Sequence, residues 1–233
     1  MQKQKNITKN PIRRIIKWAI NKCRSKRLLH KSKYVPDEYW KNRLSNYGLD
    51  LRGVGNCTLT HDENISIYSE ARDVFLKLCR QQKVDFSNVR ALDIGCGTGF
   101  YAQAFMDNGG KCYQGIDITD ALFDKLQSMM PDFKFRKLDI TSEKIDNIYD
   151  FIMMIDVTQH IVDDEKYSFA MKNIKSHLAN GGIFIVTFWE DHGNAPHVKT
   201  RPFSDIQNEF SDCEIGQPIP FRDKSIVAIK KTV

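Results

Sequence analysis

The sequence predicts an α/β fold: a seven-stranded, mostly parallel sheet with helices on both faces and an antiparallel hairpin at its C-terminal end. Three observations carry this reading. Strand-like and helix-like runs alternate from residue 89 to residue 189, which implies parallel strands joined by right-handed crossovers. Within that stretch, residues 89–101 pass from an apolar run through three alternating glycines into a helix-like segment, the pattern of a buried strand, a tight turn and a helix start. Two further strand-like segments, 213–219 and 225–231, joined around residues 221–224, read as the hairpin.

A chain of 233 residues, 41% of them apolar, can bury one sizeable core. One domain with an appendage is the economical organisation. No apolar run approaches the roughly 18 residues that span a bilayer, and the first residues lack the apolar stretch of a secretory signal, so a cytoplasmic protein is expected. The six cysteines form no C-x-x-C pair, which argues for reduced thiols rather than a zinc knuckle or a disulfide framework. The net charge of +6 is local: residues 1–33 hold twelve Lys and Arg and no acid, leaving 23 basic against 29 acidic residues beyond them.

That basic segment, residues 1–36, spaces Ile12, Ile15, Ile16, Ala19, Ile20 and Cys23 at helical intervals, with Arg13, Arg14, Lys17, Lys22 and Arg24 on much of the remainder. A basic amphipathic helix of this kind fits a peripheral membrane surface, or equally a protein partner or the body of the protein itself. Without interleaved aromatics it offers little for nucleic acid. Residues 37–233 form the expected domain, which residues 37–80 open. Residues 37–44 read as a short helix carrying Tyr39, Trp40 and Arg43, residues 51–55 as a glycine turn, and residues 64–79 as a longer helix.

Glycines at 95, 97 and 99 remove every Cβ where a ligand would lie against the backbone, and the helix after them offers unpaired N–H groups. Position 100 is Phe, so the dinucleotide spacing G-x-G-x-x-G is absent and an NAD site is disfavoured. Residues 111–117 form a second strand ending in Asp117, followed by a helix over 119–130 capped by Thr119 or Asp120. A carboxylate at that strand end can accept both hydroxyls of a ribose, or else simply cap the helix. Residues 133–140 alternate like a third strand ending in Asp139 and Ile140. Residues 149–156 are an uninterrupted apolar strand, covered on both faces, ending in Asp156. His160 follows, then a helix from 163 to about 178 stopped by Asn180 and two glycines, and a fifth strand over 183–189 ending in Trp189. Residues 190–197 form a polar loop with His192 and His197, and residues 202–210 a short helix. Gly95, Asp117, Asp139, Asp156, His160 and Trp189 all fall at the carboxyl ends of strands, where ligands gather in such sheets.

Leu92-Asp-Ile-Gly-Cys-Gly-Thr-Gly99 resembles the first motif of class I S-adenosylmethionine-dependent methyltransferases, whose fold is Rossmann-like. The resemblance covers residues 37–233. It implies S-adenosylmethionine as cofactor, held by Asp93, Gly95, Cys96, Gly97, Asp117, Ile118, Asp139, Ile140 and Asp156, with Tyr39 and Arg43 from the lid. The ribose would go to Asp117, and the adenine to Asp139 and Ile140. The Tyr-Trp, Arg-Leu and Arg-Gly-Val-Gly segments of residues 39–55 are similar to the opening of small-molecule and glycan methyltransferases, which implies that residues 37–80 form acceptor-side helices and a lid, with an acceptor pocket of Trp40, His160, Trp189 and His192. For Trp40, ordinary packing is the competing reading.

Methyl transfer from a sulfonium is an in-line displacement in which the protein aligns the partners and excludes water. An alcohol acceptor needs a base, and the imidazole of His160 is the candidate, with acceptor positioning and a structural helix start as alternatives. Asp156, His192 and His197 have the chemistry of metal ligands, yet loop histidines are commonly just exposed, and no metal is expected. The expected activity is therefore O-methylation of a small molecule or glycan precursor. An amine N-methyltransferase is the first alternative. The second is a non-catalytic cofactor-binding subunit brought to a membrane by its basic helix.

Overall fold

The computed structural model describes residues 34–191, 193 and 195–232. Residues 1–33, with the expected basic helix and Cys23, and His192 lie outside the described residues. Val35–Val233 forms one compact unit, and no helix among the described residues is long and apolar enough to cross a membrane.

Helix α1 (Pro36–Tyr47) begins on a proline, whose missing N–H is lost at no cost in a first turn, and stops at Gly48 with φ 58°. A 3₁₀ turn at Leu51–Gly53 leads to α2 (His61–Gln81). That helix starts before the expected residue 64 because Thr60 and Glu63 form a capping box, each side chain satisfying the other's backbone N–H. Then come β1 (Arg90–Ile94), α3 (Phe100–Asp107), β2 (Cys112–Asp117), α4 (Phe123–Met129), β3 (Lys134–Lys137), β4 (Tyr149–Met154), α5 (Asp164–His177), β5 (Leu178–Phe188), α6 (Phe203–Glu209), β6 (Glu214–Ile215), β7 (Ile219–Phe221) and β8 (Lys224–Lys230).

The strands make one sheet in the order β3-β2-β1-β4-β5-β8-β6, with β7 pairing β8 off this path. Strands β1 to β5 are parallel, and β8 returns antiparallel beside β5. The count is eight strands rather than seven: the segment expected as one strand over 213–219 breaks at residues 216–218 into β6 and β7. Pro218 has no N–H to give a ladder there.

Two other boundaries differ. Helix α4 starts at Phe123 rather than 119, because Thr119 is spent one turn earlier: its N–H donates to Asp117 and its hydroxyl accepts from the N–H of Ala121. Helix α5 passes into β5 at Leu178 with no glycine stop, since the Lys231 ammonium donates to the carbonyls of Lys175 and Leu178 and so satisfies the helix end.

Both sheet faces are covered, as the unalternating β4 predicts. Phe151, Met153, Ile183, Ile185 and Ile226 join Phe75 and Phe105 of the helices on one face. Their strand neighbours Ile152, Met154, Phe184, Val186 and Val227 join Met171 and Ile174 of α5 on the other. The chain reverses direction in the sheet between β1 and β4, which opens a crevice at their carboxyl ends. The glycine loop, Asp117, Asp139, Asp156, His160 and Trp189 follow or end strands at that edge.

Candidate functional site

The loop after β1 is pinned to β2: the N–H groups of Gly95 and Cys96 donate to the Ile116 carbonyl at 2.8 and 3.1 Å. Gly95, Gly97 and Gly99 have φ of 77°, 50° and 75°, left-handed values open to glycine. A Cβ on Gly95 would lie 2.3 Å from Val157 Cγ2, and one on Gly97 2.9 Å from Val54 Cγ1 of the lid. The loop is thus a bare backbone cradle with one apolar side chain closing on each of those glycines. Gly95→Ala is expected to combine a left-handed penalty of about 1–2 kcal/mol with overlap against Val157. A melting temperature lower by about 5 °C or more in a thermal scan checks it.

Asp117 is half-buried at the end of β2. Its carboxylate accepts from the N–H of Gly97 at 3.0 Å and of Thr119 at 3.1 Å, and burial pushes it up to about 6. Two of the roughly four acceptor positions of a carboxylate are used, so two hydroxyl donors fit the remainder and favour its charged form. Asp139 follows β3. One oxygen accepts from the Thr141 N–H and hydroxyl and the other from the Ser142 hydroxyl, which leaves a single position for a ligand amine. Ile140 is only 6% exposed and belongs to the core, whereas Ile118 is half-buried. The apolar surface offered beside these acids is therefore mainly that of Ile118.

Asp93 and Cys96 support the loop from beneath. Asp93, 3% exposed, accepts from the Tyr113 hydroxyl at 2.7 Å, and burial pushes it up to about 7. Cys96 fills the space left by Gly115, where a Cβ would sit 2.9 Å from its sulfur. Burial raises its thiol pKa well above the usual value, so it is not a nucleophile.

On the acceptor side, the 3₁₀ turn after β4 holds His160. Its Nδ1 lies 2.9 Å from the His197 carbonyl. A carbonyl only accepts, so Nδ1 carries the proton and the Nε2 lone pair remains basic. Burial, with smaller effects from His197 and Lys224, lowers its pKa to about 4. The ring is therefore neutral near pH 7, the form a proton acceptor needs. The Trp40 ring meets His160 edge-on at 4.9 Å, and Tyr39 stacks on His197 at 5.4 Å, so the aromatics of α1 cover the imidazoles. Arg43 closes the lid turn. Its guanidinium donates to the carbonyls of Gly53, Arg52 and Gly55 and to the Tyr39 hydroxyl, which leaves one N–H for any ligand.

Asp156, with φ 64°, does not present its carboxylate to the crevice as a free acid. It pairs with Arg222 and with Lys224, the latter at 2.8 Å. Burial alone would raise its pKa; the two cations reverse this and hold it below the usual range. Each of its oxygens is thus engaged by a cation. Trp189 is half-buried beneath the Lys224 ammonium, 4.6 Å from its ring centre. Sequence reasoning read residues 221–224 only as a hairpin turn. The available signal was topological: a strand returning antiparallel beside β5 must start at the carboxyl end of β5, and Phe188 indeed pairs with Ser225.

Residues 91–182 match a family model described as a methyltransferase domain. Among curated proteins none matches the sequence. The fold is shared with solved structures. Magnesium protoporphyrin IX methyltransferase of Synechocystis PCC 6803, with bound SAH, is 13% identical with a TM-score of 0.61, over 89% of this chain and 99% of that one. The N-methyltransferase NodS of Bradyrhizobium japonicum WM9 is 14% identical with a TM-score of 0.59, over 72% and 98%. CalS10 of Micromonospora echinaspora, an amino pentose methyltransferase with SAM bound, is 14% identical with a TM-score of 0.57, over 71% and 92%.

Proposed function

We propose that this chain is a class I S-adenosylmethionine-dependent methyltransferase that methylates a hydroxyl of a small-molecule or glycan-precursor acceptor held against His160. When bound, the cofactor supplies an electrophilic methyl group on a sulfonium. Gly95, Gly97 and the N–H groups of their loop would lie against it, Asp117 would take its ribose hydroxyls, and Asp139 with Ile118 its adenine. The half-buried Asp117, short of hydrogen-bond donors, fits such a group. Asp93 and Cys96 would keep the loop in place without touching it, and Arg43 would act through the lid turn it closes.

The observation that carries the acceptor reading is the fixed tautomer of His160, proton on Nδ1 and lone pair on Nε2. A hydroxyl gaining a methyl group becomes a strongly acidic oxonium. Even an imidazole of pKa about 4 can take that proton as the bond forms. Trp40, Tyr39 and Trp189 would wall the acceptor and exclude water, which otherwise competes for the methyl group.

The same low basicity favours a second reading, an amine acceptor, since a neutral amine attacks without help from a base. The dependence of turnover on pH separates the two. His160 is neutral at every pH above about 5, so a hydroxyl acceptor predicts a rate flat in that residue's titration from pH 6 to 8.5. An amine acceptor predicts a rate that climbs over the same range as the ammonium form deprotonates. Conversion of S-adenosylmethionine with sugar and amino sugar panels at these pH values measures the difference. A climbing profile with amino sugars alone would replace the hydroxyl reading by the amine one.

A further inference from the structure

We propose that Arg222 and Lys224, on the turn between β7 and β8, bind an anionic group, a carboxylate or a phosphate, carried by the methyl acceptor. The inference rests on the methyltransferase reading and adds to it the charge of the substrate.

The two cations share one counterion. Lys224 is 8% exposed and Arg222 13%, and both pair with Asp156, itself 16% exposed. Asp223 approaches Lys224 at 3.5 Å but is 52% exposed, where water screens it. The enclosed part of the cluster therefore carries one positive charge in excess, a costly arrangement unless a ligand supplies the balance. A donor there also lacks an acceptor: Arg222 Nε is buried without a hydrogen-bond partner. An unsatisfied donor beside excess positive charge calls for anionic oxygen.

Arg222 has φ of 56°, a value that residues other than Gly, Asn and Asp avoid, and a hairpin turn would ordinarily place Asn or Gly there.

Placement gives the anion to the acceptor rather than to the cofactor. Asp117 and Asp139 end β2 and β3, on one side of the reversal between β1 and β4. Arg222 and Lys224 stand at the ends of β4 and β5, on the other. Lys224 lies over Trp189, and its charge reaches His160.

The test titrates the full-length protein, saturated with S-adenosylhomocysteine, with inorganic phosphate at low ionic strength and with sodium chloride as control. Wild type is expected to bind phosphate with a millimolar Kd, Lys224→Met about tenfold or more weakly, and Lys224→Arg within a fewfold of wild type. The affinities for S-adenosylhomocysteine and for methylthioadenosine, which lacks the amino acid, are expected to stay unchanged in all three. Phosphate that ignores wild type, or binds Lys224→Met as well, overturns the proposal. So does a Lys224→Met protein that loses S-adenosylhomocysteine while keeping methylthioadenosine, because the cations would then serve the cofactor's own carboxylate. Failure of wild type to bind S-adenosylhomocysteine at all is a different result, and it counts against the methyltransferase reading itself.

Discussion

His160→Ala is expected to lower kcat by about 10² to 10⁴ while leaving the affinity for S-adenosylmethionine within about twofold. The separation follows from position. His160 sits after β4 under the aromatics of α1, and its hydrogen bond runs to the His197 carbonyl rather than to the glycine loop. Removing the imidazole deletes the acceptor of the departing proton and leaves the cradle of residues 95–99 untouched. His160→Gln sharpens the test, since it can accept a hydrogen bond but cannot take a proton. If Gln restores most of the rate, the imidazole only orients the acceptor; if Gln is as slow as Ala, proton transfer is its task. A rate that falls by less than about threefold in both variants would leave the amine acceptor as the working account.

Asp117→Ala is expected to weaken S-adenosylmethionine binding by about 10² to 10³, the loss of two hydrogen bonds to a charged group at about 1.5–2 kcal/mol each. The fold should survive. The burial that pushes this carboxyl up to about 6 means that its ionised form costs stability, so its contribution is fully present below the ordinary carboxylate pKa and is lost as pH rises through about 6. Ribose hydroxyls donate to the ionised form and lower that pKa, so the sign for binding is opposite. Affinity is strongest above pH 6 and falls about tenfold by pH 5, where the acid is mostly protonated. Calorimetric Kd values at pH 5 and pH 7 for wild type and Asp117→Ala check both statements. An Ala variant with unchanged affinity, or a wild-type Kd indifferent to pH, would remove Asp117 from the ribose.

Much of this arrangement was legible in the order of residues, because it depends on local period and on glycine. The strand, turn and helix of residues 89–101 follow from an apolar run broken by three glycines, and all three glycines have positive φ. The parallel core follows from alternation, and the two-faced burial of β4 from its lack of alternation. Less legible was anything that depends on who pairs with whom across the fold. Asp156 looked like one more acid at a strand end. Its commitment to Arg222 and Lys224, 66 and 68 residues away, is set by the return of β8. Arg43 looked like a ligand for the cofactor; that it also ties down three carbonyls of the lid was not visible in the sequence. The burial of His160 was not legible for a related reason: burial is a property of packing, and sequence spacing does not report it. The eighth strand shows the limit on the smaller scale, since two short strands separated by Gly216 and Pro218 present no more periodicity than one.

Calorimetric titration of the purified full-length protein with S-adenosylmethionine, run beside NAD, tests the central claim most directly. A single site of micromolar affinity for S-adenosylmethionine, with no heat from NAD, is the predicted result. Binding of NAD instead, or no binding of S-adenosylmethionine under conditions where the protein is folded, would contradict the assignment of the glycine cradle and of every role derived from it.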